Sequence, residues 1–361
     1  MIINAGIRID CFWLGNSIFS RNYKEQWESA TGFDADWKKF KYSVSPRFGI
    51  SFPISVRTKL FFSYGHFTQL PELQFVYRDP YSGGFTGNPG LDYEKTILYE
   101  YGFKQQLFMN WAIDMKAYAK DINNQIGTTR LLSAEGLPVH IYDNKGYGRA
   151  RGLEFRLLKQ HHNYTSGNLT YTIQWAKGYS SSAFEDYIRS LNNFPNPIRE
   201  RRTDWDIRHQ IVFQGTITVS KNNPLSILGI NLPANWNATI LSNFSSGYPY
   251  TLGSTNQIEL QKKENNESGP ITTTTDIKFS KWFKINNGLK ISLMVDIFNV
   301  FDLNNVNIGY GFNPWTGEPF KYGDNIESTN ELFNWYRMYN LLDPRQFSFG
   351  RYAKVGLKIE W

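Results

Sequence analysis

The last fifteen residues, FSFGRYAKVGLKIEW from Phe347 to Trp361, alternate between two kinds of side chain. The odd-numbered positions read Phe, Phe, Arg, Ala, Val, Leu, Ile and Trp, and the even-numbered ones read Ser, Gly, Tyr, Lys, Gly, Lys and Glu. Successive side chains of a strand point to opposite faces, so this period of two predicts one long strand with an apolar face and a polar face.

The same alternation recurs along the whole chain and predicts an all-β protein. The segment 289–297 places Leu, Ile, Leu, Val and Ile at odd positions, and 169–175 places Leu, Tyr, Ile and Trp there. We predict about twelve strands, most of them about twice the usual 5 to 6 residues and long enough to cross a bilayer when tilted. The predicted strands are 2–12, 41–52, 58–68, 94–106, 110–122, 148–159, 164–176, 207–220, 235–246, 273–283, 288–300 and 347–361.

The connections between these strands alternate in length. The long ones are 13–40, 69–93, 123–147, 177–206, 247–272 and 301–346; the short ones are 53–57, 107–109, 160–163 and 284–287, with 221–234 intermediate. Bacterial outer-membrane barrels have short periplasmic turns and longer outward loops. The pattern therefore predicts an antiparallel transmembrane β-barrel wall of about twelve strands, with both chain ends on the periplasmic side.

Composition excludes several classes of protein. With 41% hydrophobic and 17% aromatic residues among 361, the chain is too apolar to be disordered. No apolar run approaches the roughly 20 residues of a transmembrane helix, and the single cysteine, Cys11, excludes a disulfide framework. The net charge of +7 is spread along the chain, so no nucleic-acid partner is expected. The first ten residues, MIINAGIRID, lack the charged and apolar regions of a signal peptide.

The last eight residues carry a terminal pattern of polar, any, Gly, any, any, apolar, any, aromatic. Its fixed positions are Lys354, Gly356, Ile359 and Trp361. This resembles the signal by which outer-membrane barrels are recognised by their insertion machinery, in which an alternating terminal edge can add to another sheet. An ordinary amphipathic strand that ends in Trp is the alternative.

Five further segments resemble, in order, the carboxyl-terminal half of the barrel of TonB-dependent receptors, the energised outer-membrane importers. The first is 87–91, Gly-Asn-Pro-Gly-Leu, followed by Glu94, Tyr99, Glu100 and Gly102. The others are Arg-Gly-Leu-Glu at 151–154, Asp-Trp-Asp-Ile-Arg-His at 204–209, Ser-Gly-Tyr-Pro-Tyr at 246–250 and Asp-Ile-Phe-Asn-Val-Phe-Asp at 296–302. Each segment is weak alone, and their shared order makes the resemblance specific.

The resemblance implies more strands than this chain supplies. Such receptors have a 22-strand barrel filled by an amino-terminal plug, preceded by a TonB-contacting box and a signal peptide. Residues 1–361 supply about twelve strands, and nothing in them resembles plug, box or signal, so we expect a carboxyl-terminal fragment of the barrel. The family implies the bacterial outer membrane and import of a scarce siderophore, cobalamin, oligosaccharide or peptide. It also implies lipid and lipopolysaccharide around the wall, TonB contact only through the missing part, and a possible lipoprotein lid.

Chemical motifs are few, and we predict no enzyme, catalytic residue, metal site or cofactor. The five histidines lie in separate segments, and no Gly-x-Ser-x-Gly, His-Glu-x-x-His or P-loop occurs. Ligand contacts are expected in the long loops instead. Candidates for stacking on a ligand are Tyr310, Trp315, Tyr322, Trp335 and Tyr336; candidates for an anionic ligand or lipopolysaccharide phosphate are Arg199, Arg201 and Arg202. Self-packing of the loops and solvated charge explain the same residues.

Two alternatives remain open at this point. One is an autonomous twelve-strand outer-membrane pore or hydrolase, closed by pairing 2–12 with 347–361. The other is a soluble β-rich binding module, which would have a two-layer core. An open curved sheet with two free edges would favour the fragment of a larger barrel.

Overall fold

The computed structural model describes residues 1–361 except 33, 36, 79–84, 133–135, 137, 192–198, 253–263, 286–287, 308–311, 314–315 and 320–343. Its main body is one antiparallel sheet of twelve wall strands, numbered β1 to β12 in chain order. They are Ile2–Trp13, Phe40–Ser55, Thr58–Gln69, Glu94–Phe108, Trp111–Leu132, Pro138–His162, Thr165–Gly178, His209–Val219, Trp236–Ser245, Thr272–Lys284, Lys290–Phe298 and Tyr352–Glu360.

The order of the wall strands in space follows their order in the chain. Each one pairs with its sequence neighbours, and among the described residues β1 pairs only with β2 and β12 only with β11. The predicted all-β wall of about twelve long strands is confirmed. The pairing of 2–12 with 347–361 that an autonomous barrel required is not found, and the wall is a single sheet rather than the two layers of a soluble module.

Register sorts the side chains of the wall into an apolar face and a polar face. One row of paired positions running from β3 to β9 is apolar throughout: Leu60, Phe103, Met115, Phe155, Tyr171, Ile211 and Phe244. On the polar face, Lys116 lies 3.6 Å from Glu100 and 3.4 Å from Glu154. An outward apolar face opposite a polar interior is the pattern of a membrane barrel.

The hairpin of β5 and β6 is much longer than the sequence predicted. We expected strands at 110–122 and 148–159 with a loop at 123–147, but the ladder continues to Leu132 and Pro138. Register shifts between Asn123 and Gly127 interrupt it, and such bulges break the strict alternation on which the sequence prediction relied.

The final strand is shorter than predicted and begins at Tyr352. Phe347 forms an isolated bridge with Val306, and the Ser348 Oγ accepts a hydrogen bond of 3.2 Å from the Asn305 backbone N–H. Residues 347–351, which the alternation predicted as the start of the strand, therefore belong to the β11–β12 connection, and Phe347 and Ser348 hold that loop in place.

We call the end of the sheet that carries the connections β1–β2, β3–β4, β5–β6, β7–β8, β9–β10 and β11–β12 the long-loop end, and the opposite end the turn end. The described helices all lie at the long-loop end: α1 is Arg21–Thr31, α2 is Leu73–Tyr77, α3 is Glu185–Leu191, and the 3₁₀ turns are Asn16–Phe19 and Pro344–Gln346. The two-residue strands are Phe85–Thr86, Arg201–Arg202, Ser226–Ile227, Ile230–Asn231, Pro249–Tyr250, Glu267–Ser268, Phe312–Asn313 and Glu318–Pro319. No described helix combines the length and the apolar character needed to cross a membrane.

A buried apolar cluster joins several of these connections, and we call it the loop core. It contains Leu14, Ile18, Trp27, Ala35, Trp37, Phe75, Val76, Leu91, Ile126 and Tyr142. The indole N–H of Trp27 donates to the Gly87 carbonyl at 2.9 Å, and the Asn88 amide donates to the Tyr142 carbonyl at 2.8 Å. The Gly-Asn-Pro-Gly segment therefore ties the β3–β4 connection to α1 and to the long hairpin.

Candidate functional site

A cavity of about 640 Å³ lies at the long-loop end, and we call it the loop pocket. Three connections, β7–β8, β9–β10 and β11–β12, converge on it. Its lining consists of Asp204, Tyr248, Pro249, Tyr250, Asn305, Val306, Asn307, Phe347 and Ser348. The combination of aromatic rings with a few polar groups is typical of a small-molecule site.

The Ser-Gly-Tyr-Pro-Tyr segment places the two tyrosines of the loop pocket. A Cβ at Gly247 would stand 1.7 Å from the Gly269 carbonyl oxygen, so only glycine permits this close approach of the two chain segments. The Gly269 N–H donates to the Tyr248 carbonyl at 2.9 Å, and Pro249–Tyr250 pairs with Glu267–Ser268. Tyr248 remains 45% exposed, and burial raises the pKa of the Tyr250 hydroxyl.

Asparagine side chains hold the β11–β12 connection against the wall. The Asn305 carboxamide accepts from the Thr273 N–H at 2.8 Å and donates to the Thr273 carbonyl at 2.9 Å. Asn299, at φ 51°, donates to the carbonyls of Leu303 at 2.9 Å and Phe349 at 3.1 Å. The Asp-Ile-Phe-Asn segment thus fixes the start of the β11–β12 connection through the Asn299 side chain. Phe301, two residues further on, is 66% exposed.

Asp206, from the Asp-Trp-Asp segment, is the fully buried anchor of the β7–β8 connection. Its carboxylate accepts from the Ala176 N–H at 2.8 Å, from Arg202 Nε at 2.6 Å and from Arg208 Nη2 at 2.9 Å. The Arg202 guanidinium also donates, through Nη1, to the Glu267 carbonyl at 3.1 Å and to the Ser268 Oγ at 2.9 Å. The carboxylate therefore couples two of the three connections that form the pocket.

A second charge cluster joins α3 to the β9–β10 connection. Arg201 and Arg189 both pair with Glu185 and with Glu264. Burial lowers the pKa of Arg201 to about 10, and burial also lowers the pKa of Arg189. A value near 10 keeps the Arg201 guanidinium charged at neutral pH, so these ion pairs persist there.

The predicted ligand residues are placed as follows. Arg201 and Arg202 hold loops together through carboxylates, whereas Arg199 is exposed. Their contact with a ligand or with lipopolysaccharide stays a prediction. The aromatic candidates Tyr310, Trp315, Tyr322, Trp335 and Tyr336 lie outside the described residues. The sequence analysis did not propose Tyr248 and Tyr250 as ligand residues, although the Ser-Gly-Tyr-Pro-Tyr segment that contains both was the available sign that their rings are fixed at a loop.

The predicted insertion signal lies on and just after the edge strand β12. Lys354, Gly356 and Ile359 belong to this strand, and Trp361 follows it with 94% of its surface exposed. The apolar residues Val355 and Leu357 are 72% and 64% exposed on the same edge. Within the described part of the chain, no group of three His, Cys, Asp or Glu side chains could hold a metal ion.

Comparison with known proteins supplies the family. A family model described as TonB dependent receptor-like, beta-barrel, matches residues 2–300. The chain belongs to this family. It is therefore a protein of the bacterial outer membrane, and the apolar face of its wall is the lipid-facing side. No curated protein matches the sequence.

Solved structures of outer-membrane transporters share the fold of this TonB-dependent receptor barrel. The transporter YddB from Escherichia coli is 15% identical with a TM-score of 0.56, over 89% of this chain and 41% of that one. FpvA of P. aeruginosa, solved with bound pyoverdine, is 11% identical with a TM-score of 0.51, over 88% of this chain and 33% of that one. The chain thus spans about a third to two fifths of the length of these proteins.

Proposed function

We propose that this chain is the carboxyl-terminal part of the barrel wall of a TonB-dependent importer, and that its loop pocket contacts the ligand. The proposal is carried by the family match over residues 2–300 together with a pocket of about 640 Å³ at the end where the long loops meet. The remaining wall strands, plug and TonB-contacting box would belong to sequence that precedes this chain. Binding and passage would need no covalent chemistry here, since energy would come through TonB.

The lining of the pocket favours one ligand class. Tyr248, Tyr250 and Phe347 offer ring faces, and the Asp204 carboxylate can accept hydrogen bonds from hydroxyl groups. Arg201 and Arg202 next to the pocket are already paired with carboxylates, which leaves their charge unavailable to an anionic ligand. Among siderophores, cobalamin, oligosaccharides and peptides, we therefore propose a neutral oligosaccharide, with a lipoprotein lid as a further partner.

Replacing Tyr248 with alanine tests this site. Loss of one stacked ring should weaken oligosaccharide binding about 2- to 12-fold, because an aromatic contact is worth roughly 0.5 to 1.5 kcal/mol beyond its buried area and each 1.4 kcal/mol is a factor of ten. Titration calorimetry on the purified receptor with a panel of oligosaccharides measures the change. Tyr179→Ala is the matched control, since Tyr179 is similarly exposed at 38% and does not line the pocket. Equal affinities in the two variants, or TonB-dependent growth supported only by ferric siderophores or cobalamin, would refute the assignment.

We also propose that Lys354, Gly356, Ile359 and Trp361 form the signal read by the insertion machinery. Deleting Trp361 should reduce the folded barrel in outer membranes several-fold, because the terminal edge loses its aromatic anchor, whereas Trp361→Phe should assemble normally. The folded fraction is measured by its heat-modifiable mobility in gels. Normal assembly of the deletion variant would show that the signal lies elsewhere.

A further inference from the structure

A separate groove of about 540 Å³ lies on the apolar face of the wall, near the turn end and away from the loop pocket. It runs across strands β5 to β10, and the surface that lines it is almost entirely apolar. In an outer-membrane wall this face contacts lipid. The groove is thus a depression in a surface that acyl chains already cover.

Two glycines create the depression. Gly167 on β7 and Gly215 on β8 stand directly opposite each other in the register, so two adjacent strands lack a side chain at the same level. Leu169 and Phe213, the next pair on the same face, form one side of the notch. A Cβ at Gly215 would lie 2.9 Å from the Phe213 ring, so that ring leans toward the glycine and the notch stays shallow on that side.

A cation stands at one end of the notch. Lys159 on β6 pairs with Gly167 and with Trp111, in the same row as the two glycines. Its ammonium donates to the Thr165 hydroxyl and lies 5.7 Å from the centre of the Trp111 ring. Lys159 lies three residues before β6 ends at His162, beside Trp111. Outer-membrane barrels carry aromatic girdles at the ends of their lipid-facing strands, so this is the level at which we expect lipid headgroups.

We infer that this groove is a binding site for a diacyl phospholipid of the periplasmic leaflet. One acyl chain lies in the notch over Gly167 and Gly215, and the lipid phosphate accepts a hydrogen bond from Lys159. Charge complementarity selects this occupant: the only described charged side chain that lines the groove is a cation, placed at the headgroup level beside an apolar channel. An apolar segment of another protein would fill the notch but would offer no anionic group to the Lys159 ammonium.

The site is tested with photoreactive lipids on the protein as its gene encodes it, purified and reconstituted in nanodiscs. Two probes carry the same diazirine-labelled acyl chains: phosphatidylglycerol, and diacylglycerol, which lacks the phosphate. Crosslinks are mapped by mass spectrometry. We expect phosphatidylglycerol to label peptides containing Leu169 and Phe213 at least fivefold more than the lipid-facing peptide containing Leu293, and to label them more than diacylglycerol does.

Variants separate the two halves of the site. Ala238→Phe places a ring in the groove from β9 and leaves both glycines unsubstituted. It should abolish the enriched labelling of the Leu169 and Phe213 peptides, and so should Gly215→Leu. Lys159→Gln should remove the preference for phosphatidylglycerol over diacylglycerol. Lys281→Gln is the control, since Lys281 lies on the same face near the turn end but does not line the groove, and it should preserve the preference.

The inference is overturned by even labelling of Leu169 and Leu293, by equal labelling with the two probes, or by enrichment that survives Ala238→Phe. Crosslinks from the groove to a second copy of the chain or to another protein, in place of lipid, would also overturn it. Heat-modifiable mobility of each variant shows whether it has assembled, and Ala238→Phe serves if Gly215→Leu fails to fold. The outcome does not depend on what the receptor imports.

Discussion

Replacing Asp206 with alanine is expected to loosen two loops at once while the wall stays folded. The variant leaves the Ala176 N–H without its acceptor and leaves the charges of Arg202 and Arg208 without their shared anion. Removing one member of a buried, hydrogen-bonded ion cluster costs about 3 to 5 kcal/mol. Hydrogen exchange at the Ala176 amide should therefore accelerate by about two to three and a half orders of magnitude, since each 1.4 kcal/mol is a factor of ten.

Asp204→Ala is the matched control for this experiment. Asp204 lies two positions away and is exposed, and its carboxylate accepts one side-chain hydrogen bond, from Asn265 at 2.6 Å. Its removal should change exchange at Ala176 by less than tenfold. If both variants protect Ala176 equally well, the anchoring role assigned to Asp206 is wrong.

Trp27→Ala should unfold the loop core and spare the wall. Trp27 is 3% exposed, packs edge-on against Trp37 at 5.0 Å between ring centres, and donates to the Gly87 carbonyl. Truncating a buried Trp to Ala costs about 3 to 5 kcal/mol. We expect rapid proteolysis within 14–32 and 70–78 and rapid hydrogen exchange there, with heat-modifiable mobility of the barrel retained because the wall ladders do not include these residues.

Trp13→Ala provides the comparison, because Trp13 is 63% exposed at the end of β1 and lies outside the loop core. It should leave the protease sensitivity of both segments unchanged. Equal resistance of the Trp27 variant would mean that the loop core is not what orders these connections.

The strands of the wall were predictable because the apolar side chains that face lipid must recur at every second residue. For this reason, strands such as β10 and β11 could be placed within a few residues from sequence. The prediction of strand bounds failed in the segments that do not face lipid. Where β5 and β6 extend beyond the membrane, their side chains need not alternate between apolar and polar. The bulges between Asn123 and Gly127 also shift the alternation, so the sequence predicted a loop where the structure has an ordered hairpin.

The candidate site was harder to predict, since its lining comes from three connections that are distant in sequence. Asp204, Tyr248 and Phe347 meet only because the wall brings its long loops to one end. The motif segments did contain the residues that position the site: Asp206, Gly247 and Asn299 act as anchor, close-approach glycine and clamp. Their order along the chain carried the resemblance to the family, and their contacts required the structure.

The long hairpin has a mechanical consequence. At about 3.3 Å per residue, β6 measures roughly 80 Å along its length and β11 roughly 30 Å. The hairpin therefore extends well beyond the neighbouring strands at the long-loop end, and it holds Ile126 and Tyr142 of the loop core in or next to its bulged stretch. Because a bulge leaves a residue unpaired and interrupts the ladder, we expect displacement of the loop core to bend the hairpin at the stretch between Asn123 and Gly127, with the continuous ladders of the wall below it unchanged.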